Sequence, residues 1–260
     1  CDSISLLARG QLGRIRAMQP VTKTYSPDER DLEAEDYLWN QLLLGMQQMA
    51  EVLLGMGSLQ FDYFSEVINL AVHEVLHVDV VVNSCYAGPY HLALLLDILQ
   101  QRLLTRGVIN VSPPEDTDGG QWFAFLQKLA ASRPYLWENH FDAVQTGFLN
   151  PGSSAVLTFP TGAGKTTIAE LKIASTVMSG RSVLYLVPTH ALEDQINRDL
   201  TTLFDNMNSD LMEIGGEFTD FDSHGLSTIN VMTPERCLTL LAMSPEYFLE
   251  VGLVVFDEFH

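Results

Sequence analysis

A chain of 260 residues, 47% hydrophobic, with 14 basic against 33 acidic side chains and a formal charge of −19, holds enough apolar material for one large core or two modest ones. The charge cuts against a surface that grips phosphates through Lys and Arg. Neither half is basic: eight basic face sixteen acidic side chains in residues 1–130, and six face seventeen in 131–260. The longest apolar stretches, Val78–Val82 and Leu92–Leu96, are bounded or broken by Asp79 and Asp97 and fall far short of the roughly 20 residues of a membrane span.

Residue 1 is Cys, and no basic region followed by an apolar one opens the chain, so nothing resembles a secretory signal and the natural start is expected to be missing. Cys1, Cys85 and Cys237 lie far apart without CxxC spacing, which argues against a disulfide framework or a thiolate zinc site. A reducing, cytoplasmic setting is the expectation, with no membrane partner.

In chain order, residues 31–56 begin with acids and continue with Leu, Trp and Met at three-to-four spacing, which predicts an amphipathic helix with a favourable N-terminal dipole. The acidic run Asp28–Asp36 reads as its solvated first turn. Helical periodicity recurs in residues 61–80, 90–104 and 121–132, and no strand pattern of comparable length intervenes. Trp122, Phe123 and Phe125, beside Leu126 and Leu129, read as the core face of the last of these. Residues 110–120, with two prolines, two glycines and several acids, suit an exposed connection. The expected organisation is a helical domain over 1–130, of unassigned role and open to a protein partner, followed by a second domain over 131–260.

Within the first of these, HEVLH at His73–His77 matches the HExxH signature, in which two imidazoles one helical turn apart bind zinc and the intervening Glu is the base. On the expected helix both histidines fall on the polar side with Asp62, Glu66 and Asn69, opposite Phe61, Phe64, Ile68, Val72 and Val75. That is a solvated face, and His91 as a third ligand would be arbitrary. A zinc peptidase is kept as a remote alternative.

After Pro151 the pattern changes to short apolar runs, AVLTFP, SVLYLVP, LMEI, TINVMTP and GLVVFDE, separated by helix-like segments at 166–178 and 191–204. Alternating strands and helices predict a parallel sheet with helices on both faces, whose chemistry gathers at the carboxyl edge of the strands. FPTGAGKTT sits between a predicted strand and a predicted helix. Gly162 and Gly164 permit backbone angles that turn N–H groups toward an anion, and the helix N-terminus adds partial positive charge. The loop Thr161, Gly162, Ala163, Gly164, Lys165, Thr166 and Thr167 is thus a candidate phosphate cradle. Lys165 would reach the β and γ phosphates and Thr166 would ligate Mg²⁺. The strict pattern has Gly where Phe159 stands. Asp257, leaving an apolar strand, can hold the same metal through water, and Glu258 can orient and deprotonate an attacking water.

The order PTGAGKTT, PTHALEDQ (188–195), Gly215-Gly216, TPE (233–235) and DEFH (257–260) resembles motifs I, Ia, Ib and II of superfamily 2 DExH-box helicases. The AELKIA continuation at 169–174 looks most like the Ski-two-like branch. The resemblance covers roughly residues 135–260 and implies an α/β fold, a first RecA-like domain preceded by the mostly helical one. It implies an ATP- and Mg²⁺-dependent motor that moves a nucleic-acid strand, DNA slightly preferred to RNA. Pro188, Thr189, Gly216, Thr233 and Pro234 would touch the strand's phosphates, and His260 would couple hydrolysis to movement. The family places an adenine-reading Gln at the start of the helix before the phosphate loop; here His140 stands near that start and Gln145 further along, and either can serve. The resemblance further implies a second RecA-like lobe with arginine fingers beyond His260, so residues 1–260 alone are expected to hydrolyse ATP negligibly. A regulatory ATPase that remodels protein complexes without nucleic acid remains the main alternative.

Overall fold

The computed structural model describes residues 2–77, 80–115, 117–160, 162, 164–205, 214–215 and 226–256. The chain divides into two units, and it crosses between them more than once. Residues 1–110 with 130–135 form the first, and residues 111–129 with 136–260 form the second. The segment 111–129, grouped by the sequence reading with the helical half, therefore belongs with the second unit, while 130–135 return to the first.

In the first unit, short helices α1 (Asp2–Ala8) and α2 (Leu12–Arg16) precede the long α3 (Arg30–Leu53). A capping box opens the turn before α3: Ser26 N–H and Oγ donate to the Glu29 carboxylate at 3.0 and 2.9 Å. The acidic run is solvated as expected but not idle, because the Asp36 carboxylate accepts from Lys23 Nζ at 3.0 Å and from the Tyr25 hydroxyl. Leu38, Leu42, Met46, Met49 and Leu53 recur at helical spacing and are buried. Gln47 Nε2 holds the carbonyls of Ile15 and Met18 at 3.2 and 2.8 Å, which pins the end of α2 to α3. At Gly45 the next helix, α4 (Tyr63–Ala71), comes so close that a Cβ would meet Phe64 Cε1 at 2.6 Å. Tyr135 donates its hydroxyl to Leu7 O at 3.0 Å, tying the returning segment down.

The helix expected over 61–80 stops at Ala71. Residues 72–85 instead form an antiparallel hairpin, β1 (Val72–His77) with β2 (Val80–Cys85), in which Val72 pairs with Cys85 and His77 with Val80. The physical reason is composition: valines at 72, 75, 80, 81 and 82 lose side-chain freedom in a helix and pack well on a pleated surface once a second such run can pair with the first. The zinc reading falls with the helix. Residues four apart in a strand are separated by about 13 Å, against about 6 Å on a helix, so one metal ion cannot bridge the two positions. The His73 ring instead stacks on Tyr86 at 4.8 Å. Helix α5 (Ala87–Thr105) follows and packs on α3 and α4.

The second unit begins with α6 (Gly119–Ala130), whose Trp122 and Phe125 are buried while Phe123 is exposed. Trp122 Nε1 donates to Val111 O at 2.8 Å, and Phe125 stacks on Phe204 with centroids 5.5 Å apart. Helices α7 (Glu138–Gln145) and α8 (Lys165–Met178) precede the sheet elements β3 (Ser182–Leu186), α9 (His190–Phe204), β4 (Ile214–Gly215), β5 (Ile229–Met232), α10 (Pro234–Met243) and β6 (Val251–Phe256). The strands lie in the order β4-β5-β3-β6, all parallel, with Leu186 opposite both Met232 and Phe256. Leu184 and Leu186 share one face of β3, and Cys237 and Leu240 of α10 cover it. Helix α8 packs on β3 and β6, and α9 on β4 and β5. This is a partial RecA-like α/β arrangement preceded by a helical region, as the sequence predicts.

One predicted strand does not form among the described residues. Residues 155–160 form no strand among the described residues, and Val156 is 89% exposed. Local β-propensity cannot hold a strand without cross-strand hydrogen bonds, and this segment has apolar character but no described neighbour in the sheet.

Candidate functional site

Two turns at the carboxyl edge of the sheet are built alike. After β3 the chain passes through Val187 and Pro188 to Thr189, which caps α9 by accepting the Leu192 N–H at 3.4 Å. After β5, Thr233 caps α10 by accepting the Arg236 N–H at 3.4 Å, with Pro234 in the first helical position. Both sequences, PTHA and TPER, are helix starts in chemical terms: a hydroxyl that accepts an otherwise orphaned donor, and in the second case a proline where no donor is needed. The two turns differ in access. Pro188 and Thr189 are exposed, whereas Thr233 is buried and its hydroxyl is engaged with its own helix.

Glu193 joins the two turns. Its side chain is buried, and its carboxylate accepts from Arg236 of α10 at 3.4 Å and from His190 Nδ1 at 3.0 Å. A carboxylate so enclosed is stable only when paired, and the pairing ties the first turn of α9 to the first turn of α10. Sequence reasoning passed over Glu193 and Arg236 because their separation of 43 positions carries no motif.

The glycine loop lies at the head of α8. Gly162 has φ +79° with open space where a Cβ would sit, and Gly164 caps the 14-residue helix in the left-handed region, at φ +75°. Lys165 and Thr166, the first two helical residues, are exposed, while Thr167 is buried and donates its N–H to Gly164 O at 3.0 Å. A glycine cap brings no side-chain oxygen to the helix N-terminus, whose dipole and N–H groups favour an anion. Thr161 and Ala163 of the loop lie outside the described residues.

Behind the loop sits a buried imidazole. His140, 1% exposed, stands in the first turn of α7, where Trp137 N–H donates to its Nδ1 at 3.4 Å. A Cβ added at Gly164 would lie 2.5 Å from His140 Cε1 and 2.7 Å from Nε2. Phe159, which replaces the glycine of the strict pattern, has its ring 5.9 Å from the imidazole. Gln145, at the far end of α7, is exposed. Of the two residues the sequence nominated for base contact, only His140 is thereby brought to the loop.

Helix α8 is braced from below by groups the sequence reading did not single out. Lys172 is buried, and that burial holds its ammonium below the usual lysine range. It donates to Asn150 O and to Ser153 Oγ, the latter at 3.0 Å, and lies 5.6 Å over the Phe148 ring. Ser175 Oγ donates to Leu149 O at 2.7 Å. The segment that leads from α7 toward the loop is thus stitched to α8. The available signal was Lys172 and Ser175 standing with Glu170 and Thr176 inside the mostly apolar stretch 168–177.

Strand β6 ends at Phe256 opposite Leu186. Asp257, Glu258 and His260 follow it, and they and Gly216 lie outside the described residues.

Residues 142–260 match the sequence profile of the DEAD/DEAH box helicase family. Over 132 residues the chain is 30% identical to the ATP-dependent DNA helicase Hel308 of Methanocella arvoryzae, covering 49% of this chain and 18% of that protein. It is 31% identical over 120 residues to the ATP-dependent RNA helicase mtr4 of Schizosaccharomyces pombe, covering 46% of this chain and 10% of that one. The DExH-box ATP-dependent RNA helicase DExH15, chloroplastic, of Arabidopsis thaliana is 35% identical over 115 residues, 42% of this chain and 9% of the relative. The chain thus spans a tenth to a fifth of the length of these relatives.

Proposed function

We propose that residues 142–260, which match the DEAD/DEAH box helicase profile and resemble Ski-two-like relatives, form the motor of such a helicase, and that the protein hydrolyses ATP and couples the cycle to movement along nucleic acid. The observation that carries this reading is the left-handed Gly164 at the head of α8, followed by the exposed Lys165. Such a cap fits a triphosphate: open space at Gly162, a dipole pointing outward and a cation in the first helical position act together on one anion.

In this reading the loop 161–167 holds the phosphates and Lys165 neutralises the charge that develops on the transferred group. Thr166, whose side chain is exposed, and Asp257 would hold Mg²⁺, which supplies further charge neutralisation when bound. Glu258 orients the attacking water and accepts its proton. Base contact falls in this reading to Gln145, which is exposed at the end of α7. The strand's phosphates are contacted at the exposed first turn, by Pro188 and Thr189, together with Gly216; Pro234 borders the second turn, where the nominated Thr233 is buried and its hydroxyl caps its own helix, and His260 couples the sites. With an acidic chain, those contacts are drawn from backbone N–H groups and hydroxyls rather than from clustered cations.

The names of the relatives cover both DNA and RNA helicases; DNA is the slightly preferred track of this reading, and the experiment includes both. ATPase of the full-length protein, wild type and Lys165→Ala, is titrated with single-stranded DNA and RNA. Turnover that rises with nucleic acid, and falls about 10²- to 10³-fold on substitution, is the expected result. Turnover insensitive to Lys165→Ala overturns the reading, and turnover insensitive to both nucleic acids points instead to a remodelling ATPase.

A further inference from the structure

The resemblance nominates His140 as a base reader, but its geometry serves a different task. We infer that His140 is a positioning residue for the phosphate loop, acting through Gly164 and not through the nucleotide's base. The inference rests on the proposed nucleotide site.

Three observations carry it. The ring is 1% exposed, so it presents no edge to a base without leaving its seat. Its Nδ1 accepts the Trp137 N–H at 3.4 Å, which in the neutral ring leaves the proton on Nε2. The Nε2 and Cε1 edge occupies the space a Cβ at residue 164 would need, at 2.7 and 2.5 Å. Phe159 flanks the imidazole at 5.9 Å, so the departure from the strict glycine pattern supplies an apolar neighbour for the ring.

The consequence is mechanical. Gly164 sets where α8 begins and hence where Lys165 and the first-turn N–H groups point. A left-handed cap has few contacts of its own to fix it, and the imidazole edge supplies a hard stop on one side. A misplacement of about 1 Å at such a site costs on the order of 10²-fold in rate, which is the scale a missing stop can reach.

Two isosteres separate the roles of the ring. Asn retains an acceptor near Nδ1 and so keeps the Trp137 cap, but does not fill the Nε2 edge. Gln reaches the Nε2 position. In the full-length protein, steady-state ATPase of His140→Ala and His140→Asn is expected to show kcat lowered about 10- to 100-fold with a smaller change in KM, and His140→Gln is expected to stay close to wild type, all three retaining wild-type far-UV circular dichroism. A raised KM at unchanged kcat marks a lost base contact and overturns the inference. So does His140→Asn at wild-type rate, which leaves only a helix cap, and so does loss of secondary structure in all three variants, which makes the residue a folding requirement. Failure of the underlying site looks different: wild type and Lys165→Ala would then hydrolyse ATP equally slowly.

Discussion

Gly45 in the first unit and Gly164 in the second meet the same steric fact and put it to different uses. A Cβ at either position would collide with a ring, Phe64 at 2.6 Å or His140 at 2.5 Å. At Gly45 the backbone is ordinary helix, and the missing side chain only lets α3 and α4 approach. At Gly164 the backbone is left-handed and heads a helix whose next residue is an exposed lysine. Close approach alone is packing; close approach combined with a turned backbone at a helix N-terminus makes a candidate site. The first unit accordingly displays a buried stripe and side-chain ties such as Gln47, while the second displays capped turns at one edge of a sheet.

The largest test of that contrast is Phe64→Ala. Truncating a fully buried ring costs about 3–5 kcal/mol, read by denaturant unfolding, and the affinity for ATP should not change. A parallel loss of nucleotide affinity would break the distinction. Next come the glycines themselves. Gly45→Ala should cost about 1–3 kcal/mol through overpacking, and combining it with Phe64→Leu should cost less than the sum of the two single changes. Gly164→Ala adds left-handed strain of about 1–2 kcal/mol, yet its loss of ATP turnover should far exceed what that destabilisation explains. Equal turnover for the two alanine variants would contradict the assignment.

A smaller effect is expected at the second capped turn. Thr233→Ala removes the acceptor for Arg236 N–H and should cost about 1 kcal/mol, with Thr233→Ser recovering most of it; thermal melts decide. The smallest effect belongs to the first unit. The Tyr25 hydroxyl and the Lys23 ammonium hold the Asp36 carboxyl below its ordinary value of 3.8. A depressed carboxylate contributes stability above its unfolded value and loses it as pH falls through the folded one. The melting-temperature gap between wild type and Asp36→Asn should therefore be flat near neutrality and close as pH falls below about 4. A gap that persists in strong acid would show the contribution is not ionic.

How much of this was legible beforehand depended on the range of the interactions. The caps of α9 and α10 read directly from PTHA and TPER, because the acceptor and its donor lie three residues apart. The turn at Gly164 read from GxGK for the same reason. The hairpin at 72–85 did not, since helix periodicity in 61–71 ran on into valines whose preferred partner was another valine run eight residues away. The segment 155–160 erred in the opposite direction, having strand composition without a described partner. The crossing of the chain between units at 111 and 130 had no local signature either.

Sequence by itself determined the order of the loop and turn motifs, the helix starts and the stripe that α3 buries, because each is a matter of residues within one or two turns of one another. Tertiary structure alone decided that His140 would lie against Gly164, that Glu193 would pair with Arg236 and that Thr233 would be closed off while Thr189 stayed open. Those outcomes depend on which distant surfaces meet and exclude water, and burial of that kind is a property of the packed chain that no short window of residues contains.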